Sequence, residues 1–176
     1  MEFIKTELEG AYIIKLAAFK DHRGVFARTF CANEFKEHGL ATNMVQSNLS
    51  ISNEKFTLRG MHYQVDGAEE DKLVRCIRGK LVDVIIDIRP NSKTYCKHIK
   101  VELSDTNDTM LYVPRGFAHG FMTLENDTHI MYQVSNFYNK EKERGIRWND
   151  PSFNIKWGTD EPIISDKDTS YPDFKK

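Results

Sequence analysis

The sequence is short of cysteine, long apolar runs and net charge, and each shortage removes a class of protein. Three cysteines, Cys31, Cys76 and Cys96, are widely spaced among 176 residues and lie outside any C-x-x-C pattern. They build neither a disulfide framework nor a zinc ribbon, and they read as free thiols in a reducing cytosol. No apolar run approaches the ~18 residues that a membrane-crossing helix needs. The stretch "MEFIKTELEG" lacks the basic-then-apolar pattern of a secretory signal. A cytoplasmic location and no membrane partner are the expectation. With 25 basic and 26 acidic residues the net charge is -1, so there is no broad basic field to attract nucleic acid. No G-x-G-x-x-G fingerprint, internal repeat or low-complexity linker interrupts the chain. One domain over residues 1–176 follows, long enough to bury roughly 70% of its unfolded surface.

What is present is mostly strand pattern. "KLVRCIRGKLVDVIIDIRP" (72–90) reads as strand, turn at Arg78-Gly79-Lys80, strand, rich in Val and Ile and alternating in its second half. "KHIKVELS", "MLYVP" and "THIMYQVSNFY" follow as further strands, with "SDTND" as a turn. Earlier, "GVFARTFC" (24–31) and "NMVQSNLSISN" (43–53) also read as strands. The one helical candidate is "CANEFKEHGL" (31–40), stopped by Gly39. The tail, "WGTDEPIISDKDTSYPDF", reads as loop, broken by Pro162 and Pro172. Short strands, frequent turns and little helix predict an all-β sandwich or barrel.

Two segments carry candidate chemistry. "LRGMHYQ" (58–64) places His62 after an Arg-Gly step, and "YVPRGFAHGF" (112–121) is a tight turn feeding a strand that aims His119. Each histidine has three readings: metal ligand, catalytic base, or core histidine with its hydrogen bonds satisfied. Together the segments resemble the two motifs of the cupin superfamily, double-sheet jelly rolls whose ligand sits inside the barrel. Many cupins hold a divalent metal with His-x-His, a Glu and a later His. Here Gln64 stands at the second His, and Glu69 and Glu70 fall in "GAEED", which reads as a solvated loop. That set is a poor cage for zinc or iron, so a metal-dependent cupin enzyme is the disfavoured alternative and no metal is expected. Proton transfer remains, with His62 as general base near neutral pH. Lys72 and Tyr132 are candidates to act with it, and the carboxylates of "SDKD", Asp166 and Asp168, sit in the tail and could fold back to it.

An ordered set of segments resembles the dTDP-4-dehydrorhamnose 3,5-epimerase family over nearly the whole chain. They are "DHRGVFARTF", "QSNLSIS", "LRGMHYQ", "DKLVRCIRGKLVDVIIDIRPNSKTY", "YVPRGFAHGF", "MYQVSNFY", "ERGIRWNDP" and "ISDKD". The resemblance implies a cupin-type double-stranded β-helix with a few short helices. It also implies a nucleoside-diphosphate 4-dehydro-6-deoxyhexose as substrate and epimerisation at C3 and C5 without a cofactor. A ketone at C4 acidifies the protons on both neighbouring carbons, because either carbanion delocalises onto one oxygen.

By the same resemblance His62 is the base, Asp168 its carboxylate partner, Lys72 the ammonium near the enolate and Tyr132 the acid on the far face. His119 lies near the C4 oxygen. Arg23, Arg59, Gln46, Asn48 and Ser50 hold diphosphate and sugar. Phe19, Phe26 and Tyr138 are candidates for stacking on the base, with core packing as the alternative. A homodimer with exchanged N-terminal strands is implied, with sites that draw on both chains. One departure stands out. Arg28 occupies the place of a family Glu near the nucleobase. A guanidinium only donates, whereas thymine N3–H needs an acceptor. Arg28 therefore suits a CDP-linked sugar better than a dTDP-linked one, unless it points to solvent or to a phosphate.

Overall fold

Alternation of period two sends successive side chains of a strand to opposite faces, and in this protein two sheets share the apolar set between them. The computed structural model describes residues 1–175. One sheet holds β1 (Glu2–Lys5), β2 (Tyr12–Lys15), β5 (Gln46–Ser52), β7 (Lys72–Arg78), β10 (Thr109–Val113) and β12 (Thr128–Val134), in the order β1-β2-β10-β7-β12-β5. The other holds β6 (Leu58–Gln64), β8 (Lys80–Asp87), β9 (His98–Ser104), β11 (Phe117–Thr123) and β13 (Glu143–Gly145), in the order β13-β6-β11-β8-β9. Every pairing within them is antiparallel, and the result is the cupin-type jelly roll. A separate hairpin, β3 (Phe19–Asp21) with β4 (Gly24–Phe26), and two short helices, α1 (Ala32–Glu37) and α2 (Asp166–Thr169), complete the elements.

Three apolar clusters result from that layering. Between the sheets, Val74, Cys76, Leu111 and Ile130 of the first meet Leu81, Ile85, Leu103 and Phe121 of the second. On the outer face of the second sheet, Leu58, Met61, Val84, Ile86 and Met122 are covered by Ile146, Phe153 and Trp157. On the outer face of the first, Ile14, Leu73 and Met110 are covered by Phe35 of α1. The far half of that face is bare, leaving Leu49, Ile51 and Ile77 exposed.

Three segments differ from the sequence pattern. Residues 24–31 are strand only to Phe26; the chain then turns into α1, which Gly39 ends at φ +71. The tail is not all loop. Ser165 caps α2, its Oγ accepting from the Asp168 N–H at 3.2 Å. "GAEED" is not a solvated loop either: Ala68 and Asp71 are buried, and the Glu70 side chain is 11% exposed. Asp71 accepts from Ser135 Oγ (2.8 Å), Tyr112 Oη (2.9 Å) and Arg115 Nη2 (2.8 Å), which clamps the segment inward. Charge pattern alone does not show such partners, which come from residues far along the chain.

A bulge in β6 sets the direction of two side chains. His119 pairs with His62, but Phe121 pairs with Arg59, so Gly60 and Met61 together face Gly120. Arg59 and His62 are three residues apart and regular alternation would put them on opposite faces. The extra residue brings both to the space between the sheets. Gly60 is required there: its φ is +128, and a Cβ would lie 2.5 Å from Gly120 Cα and 2.9 Å from the His119 carbonyl. Gly60→Ala is therefore expected to lower the unfolding free energy by at least about 2 kcal/mol, measured by urea denaturation.

Candidate active site

The space between the sheets opens into two adjoining cavities that share His62, Lys72 and Tyr132. One, of about 300 Å³, is also lined by Gln46, Asn48, Glu70 and Glu143. The other, of about 430 Å³, is also lined by Ser50, Arg59 and His119. The two walls differ in chemistry. His62, His119 and Arg59 come from the second sheet; Lys72, Tyr132, Gln46, Asn48 and Ser50 come from the first. A flat molecule held between them would meet imidazoles on one face and a phenol and an ammonium on the other.

His62 Nε2 lies 2.8 Å from Asp168 Oδ1, and the Gly60 N–H donates to Asp168 Oδ2 at 3.0 Å. The bulge leaves that N–H outside the strand ladder. Asp168 is 4% exposed. Burial alone would push its carboxyl upward, but the hydrogen bonds from His62 and Gly60 outweigh it and hold the group below the usual carboxylate range. The tail is fastened around it. Lys167 Nζ reaches Glu143 at 2.6 Å, Arg147 pairs with Asp173, and the Tyr171 ring occupies the space beside Gly145, where a Cβ would fall 2.3 Å away. A carboxylate held in this way fixes the imidazole's orientation and stabilises its protonated form.

Opposite, Lys72 Nζ pairs with Glu70 Oε1 at 3.2 Å. Tyr132 sits beside Asn48 and Val74 in the strand register. Burial raises its phenol above the ordinary value, the Glu70 charge adds to this and Arg59 opposes it. His119 Nε2 stands 2.8 Å from Asp83 Oδ1, yet neither carboxylate oxygen makes an aligned hydrogen bond. Gln46 Oε1 accepts from the Tyr138 N–H at 2.8 Å, and Tyr138 Oη donates to Glu143 at 2.9 Å.

Four expected residues lie elsewhere within the chain. Phe19, Arg23 and Phe26 line a surface hollow on the projecting β3–β4 hairpin, with Arg23 paired to Asp21 at 2.6 Å. Phe19 and Phe26 are 73% and 72% exposed, so neither packs into the core. Arg28 approaches Glu34 at 3.8 Å. Conversely, Glu70, Glu143 and Lys167 belong to the site, although the sequence pattern put Glu70 in a solvated loop and singled out neither of the others. The pairing of Glu143 with Gln64 across β13 and β6 is the signal that places Glu143 at the cavity. Among the described residues, no three of His, Cys, Asp and Glu converge as a metal-binding group. Gln64 is fully engaged: its Nε2 donates to Ala68 O and Glu70, and its Oε1 accepts from the Asn139 N–H.

A sequence profile of the family described as dTDP-4-dehydrorhamnose 3,5-epimerase matches residues 5–176. The dTDP-4-dehydrorhamnose 3,5-epimerase of Shigella flexneri is 43% identical, covering 99% of this chain and 96% of that protein. The crystal structure of the enzyme of that name from Elizabethkingia anophelis superposes with a TM-score of 0.95 at 41% identity, covering 99% and 96%. That of a dTDP-6-deoxy-D-glucose-3,5-epimerase from Legionella pneumophila, in complex with dTDP-4-keto-L-rhamnose, superposes with a TM-score of 0.92 at 34% identity, covering 98% and 92%.

Because the Asp168 carboxyl is depressed on folding, its ionised form stabilises the native state. That contribution is complete above the unfolded pKa near ~4 and is lost as pH falls through the lower folded value. Asp168→Asn is expected to cost roughly 2 kcal/mol at pH 7, with the gap to the parent closing as pH falls below about 4, measured by denaturation at several pH values.

Proposed function

The chain belongs to the dTDP-4-dehydrorhamnose 3,5-epimerase family and is a carbohydrate epimerase; on that premise we propose that it converts dTDP-4-dehydro-6-deoxy-D-glucose to dTDP-4-dehydro-L-rhamnose by inverting C3 and C5. The observation that carries the proposal is one cavity with a carboxylate-paired histidine on one sheet and a phenol and an ammonium on the other. His62 removes the proton from the carbon next to the ketone, and the freed electron pair moves onto the C4 oxygen. Lys72, with His119 nearby, stabilises that enolate. The pair then returns to carbon as Tyr132 delivers its proton from the opposite face, so the centre inverts. Tyr132 is a neutral donor at pH 7, since burial raises it further above a reference value near ~10. His62 and Tyr132 recover their starting protonation through solvent, and the same cycle serves the second carbon.

Gln46, Asn48, Ser50 and Arg59 hold the sugar and diphosphate in this reading, and Tyr138 covers the mouth. Arg28 has an acidic neighbour in its own chain, Glu34, and no observation favours cytidine over thymidine. Phe19, Arg23, Phe26 and Arg28 reach a site in a homodimer that exchanges N-terminal strands. The exposed aromatics of the hairpin and the apolar outer positions Leu49 and Ile51 of edge strand β5 support that assembly. The three cysteines are free, Cys76 being buried and pushed up to about 11 chiefly by desolvation, which suits a reducing compartment; we place the protein in the cytoplasm. No helix among the described residues is long and apolar enough to cross a membrane.

In D₂O, NMR should show deuterium entering C3 and C5 as both centres invert, with the dTDP sugar preferred over its CDP counterpart. His62→Ala should slow both exchange and inversion by ~10³-fold or more, and persistent exchange would remove His62 as the base. Tyr132→Phe should permit exchange with retention while suppressing inversion. Sedimentation should give twice the chain mass, and Leu49→Glu should shift it towards one.

A further inference from the structure

We propose that Glu70 is a positioning residue for the reaction, anchoring the Lys72 ammonium at the cavity wall and placing a negative charge beside Tyr132. The proposal deepens the function proposed above and rests on it, since Lys72 and Tyr132 must be the groups that serve the intermediate.

The geometry begins with the chain path. Gln64 ends a strand of one sheet, Lys72 begins a strand of the other, and residues 65–71 cross between them. Glu70 ties the two ends together: one carboxylate oxygen accepts from Gln64 Nε2 at 2.8 Å, and the other lies 3.2 Å from Lys72 Nζ. Gln64 is itself held from three sides, by Ala68 O (2.9 Å), Phe137 O (3.2 Å) and the Asn139 N–H (2.6 Å). Next in the chain, Asp71 is buried in its clamp with Ser135, Tyr112 and Arg115. Glu70 and Lys72 both line the cavity, while Asp71 between them turns to the clamp.

Lysine carries its charge on a flexible four-carbon stem. The Lys72 side chain is 12% exposed and that of Glu70 is 11% exposed, so water screens their attraction little. An ammonium has three N–H donors. One directed at Glu70 leaves two for a substrate oxygen, and the stem no longer samples positions away from it. The same carboxylate disfavours ionisation of the Tyr132 phenol, in addition to the effect of burial. Other titratable or charged groups face these two. His62 and Arg59 do so from β6, His119 from β11 and Glu143, tied to Lys167, from β13. Of these, Arg59 opposes Glu70 at Tyr132.

The test compares Glu70→Gln, Glu70→Asp and Lys72→Ala in steady-state epimerisation of the nucleotide sugar across pH, with thermal melts alongside. Glu70→Gln should lower kcat roughly tenfold, with KM changed by less than about threefold. It should also move the alkaline limb of the kcat profile to lower pH. Glu70→Asp keeps the charge on a shorter arm and should restore the limb while recovering only part of kcat. Parent kcat and limb in Glu70→Gln would overturn the proposal, as would equal losses in both variants with the limb unmoved. If Glu70→Gln melts early, Glu70→Asp decides alone: lowered kcat with the limb in place supports the role, and unchanged kcat overturns it. Lys72→Ala separates the two levels. Parent activity there would remove the function assigned to Lys72 itself, whereas inactive Lys72→Ala with unaffected Glu70 variants would remove only the role of Glu70.

Discussion

The buried carboxylate of Asp168 is the group on which the site depends. It sits on a one-turn helix of the tail and receives the His62 imidazole and the Gly60 N–H at once. Leaving such a carboxylate without partners costs several kcal/mol, so the three groups hold together or not at all. Each contact has a structural precondition. The Gly60 N–H is free because β6 bulges, and the bulge needs a residue without a Cβ. The helix is in place because Lys167, Arg147 and Asp150 fasten the tail to the second sheet and its loops; Asp150 is buried and accepts from the Phe174 N–H. Fold and site are therefore one set of constraints.

A second set crosses the other end of the cavity. Gln64, Glu70 and Lys72 join the two sheets, and Gln64 stands at the motif position that a second His holds in many metal-binding cupins. In this chain an amide takes the place of the second histidine. The cation is an ammonium supplied by the neighbouring strand. It brings positive charge to the cavity without an open coordination site, which in the proposed mechanism suits an oxygen whose charge appears and disappears twice in one turnover.

The strands of the core were legible from the sequence. Lys72–Arg78 and Lys80–Asp87 follow from Val and Ile alternation on either side of Gly79, and His62 and His119 stand out in their turn-rich settings. The rest was not, for identifiable reasons. Nothing in "GAEED" betrays that Asp71 has Tyr112, Arg115 and Ser135 for partners 41 to 64 residues away. The bulge at Gly60 breaks the alternation on which strand reading relies. The residues offered Asp166 and Asp168 alike and family resemblance chose Asp168, since a carboxylate in a polar, Pro-flanked tail has no local pattern that points to a histidine 106 residues earlier. The exposed segment carrying Phe26 reads as ordinary strand, because periodicity reports two faces and not what covers them.

The position of Asp168 late in the chain has a consequence for the order in which the enzyme becomes competent. During synthesis the sheets, the bulge and His62 are all present before the tail emerges, yet the imidazole then has no carboxylate to orient it. The second sheet must already be formed for the tail to find Glu143, Gly145 and Arg147. Completion of the site is thus a report that the second sheet has formed, and a partly made or misfolded chain displays the histidine without its carboxylate.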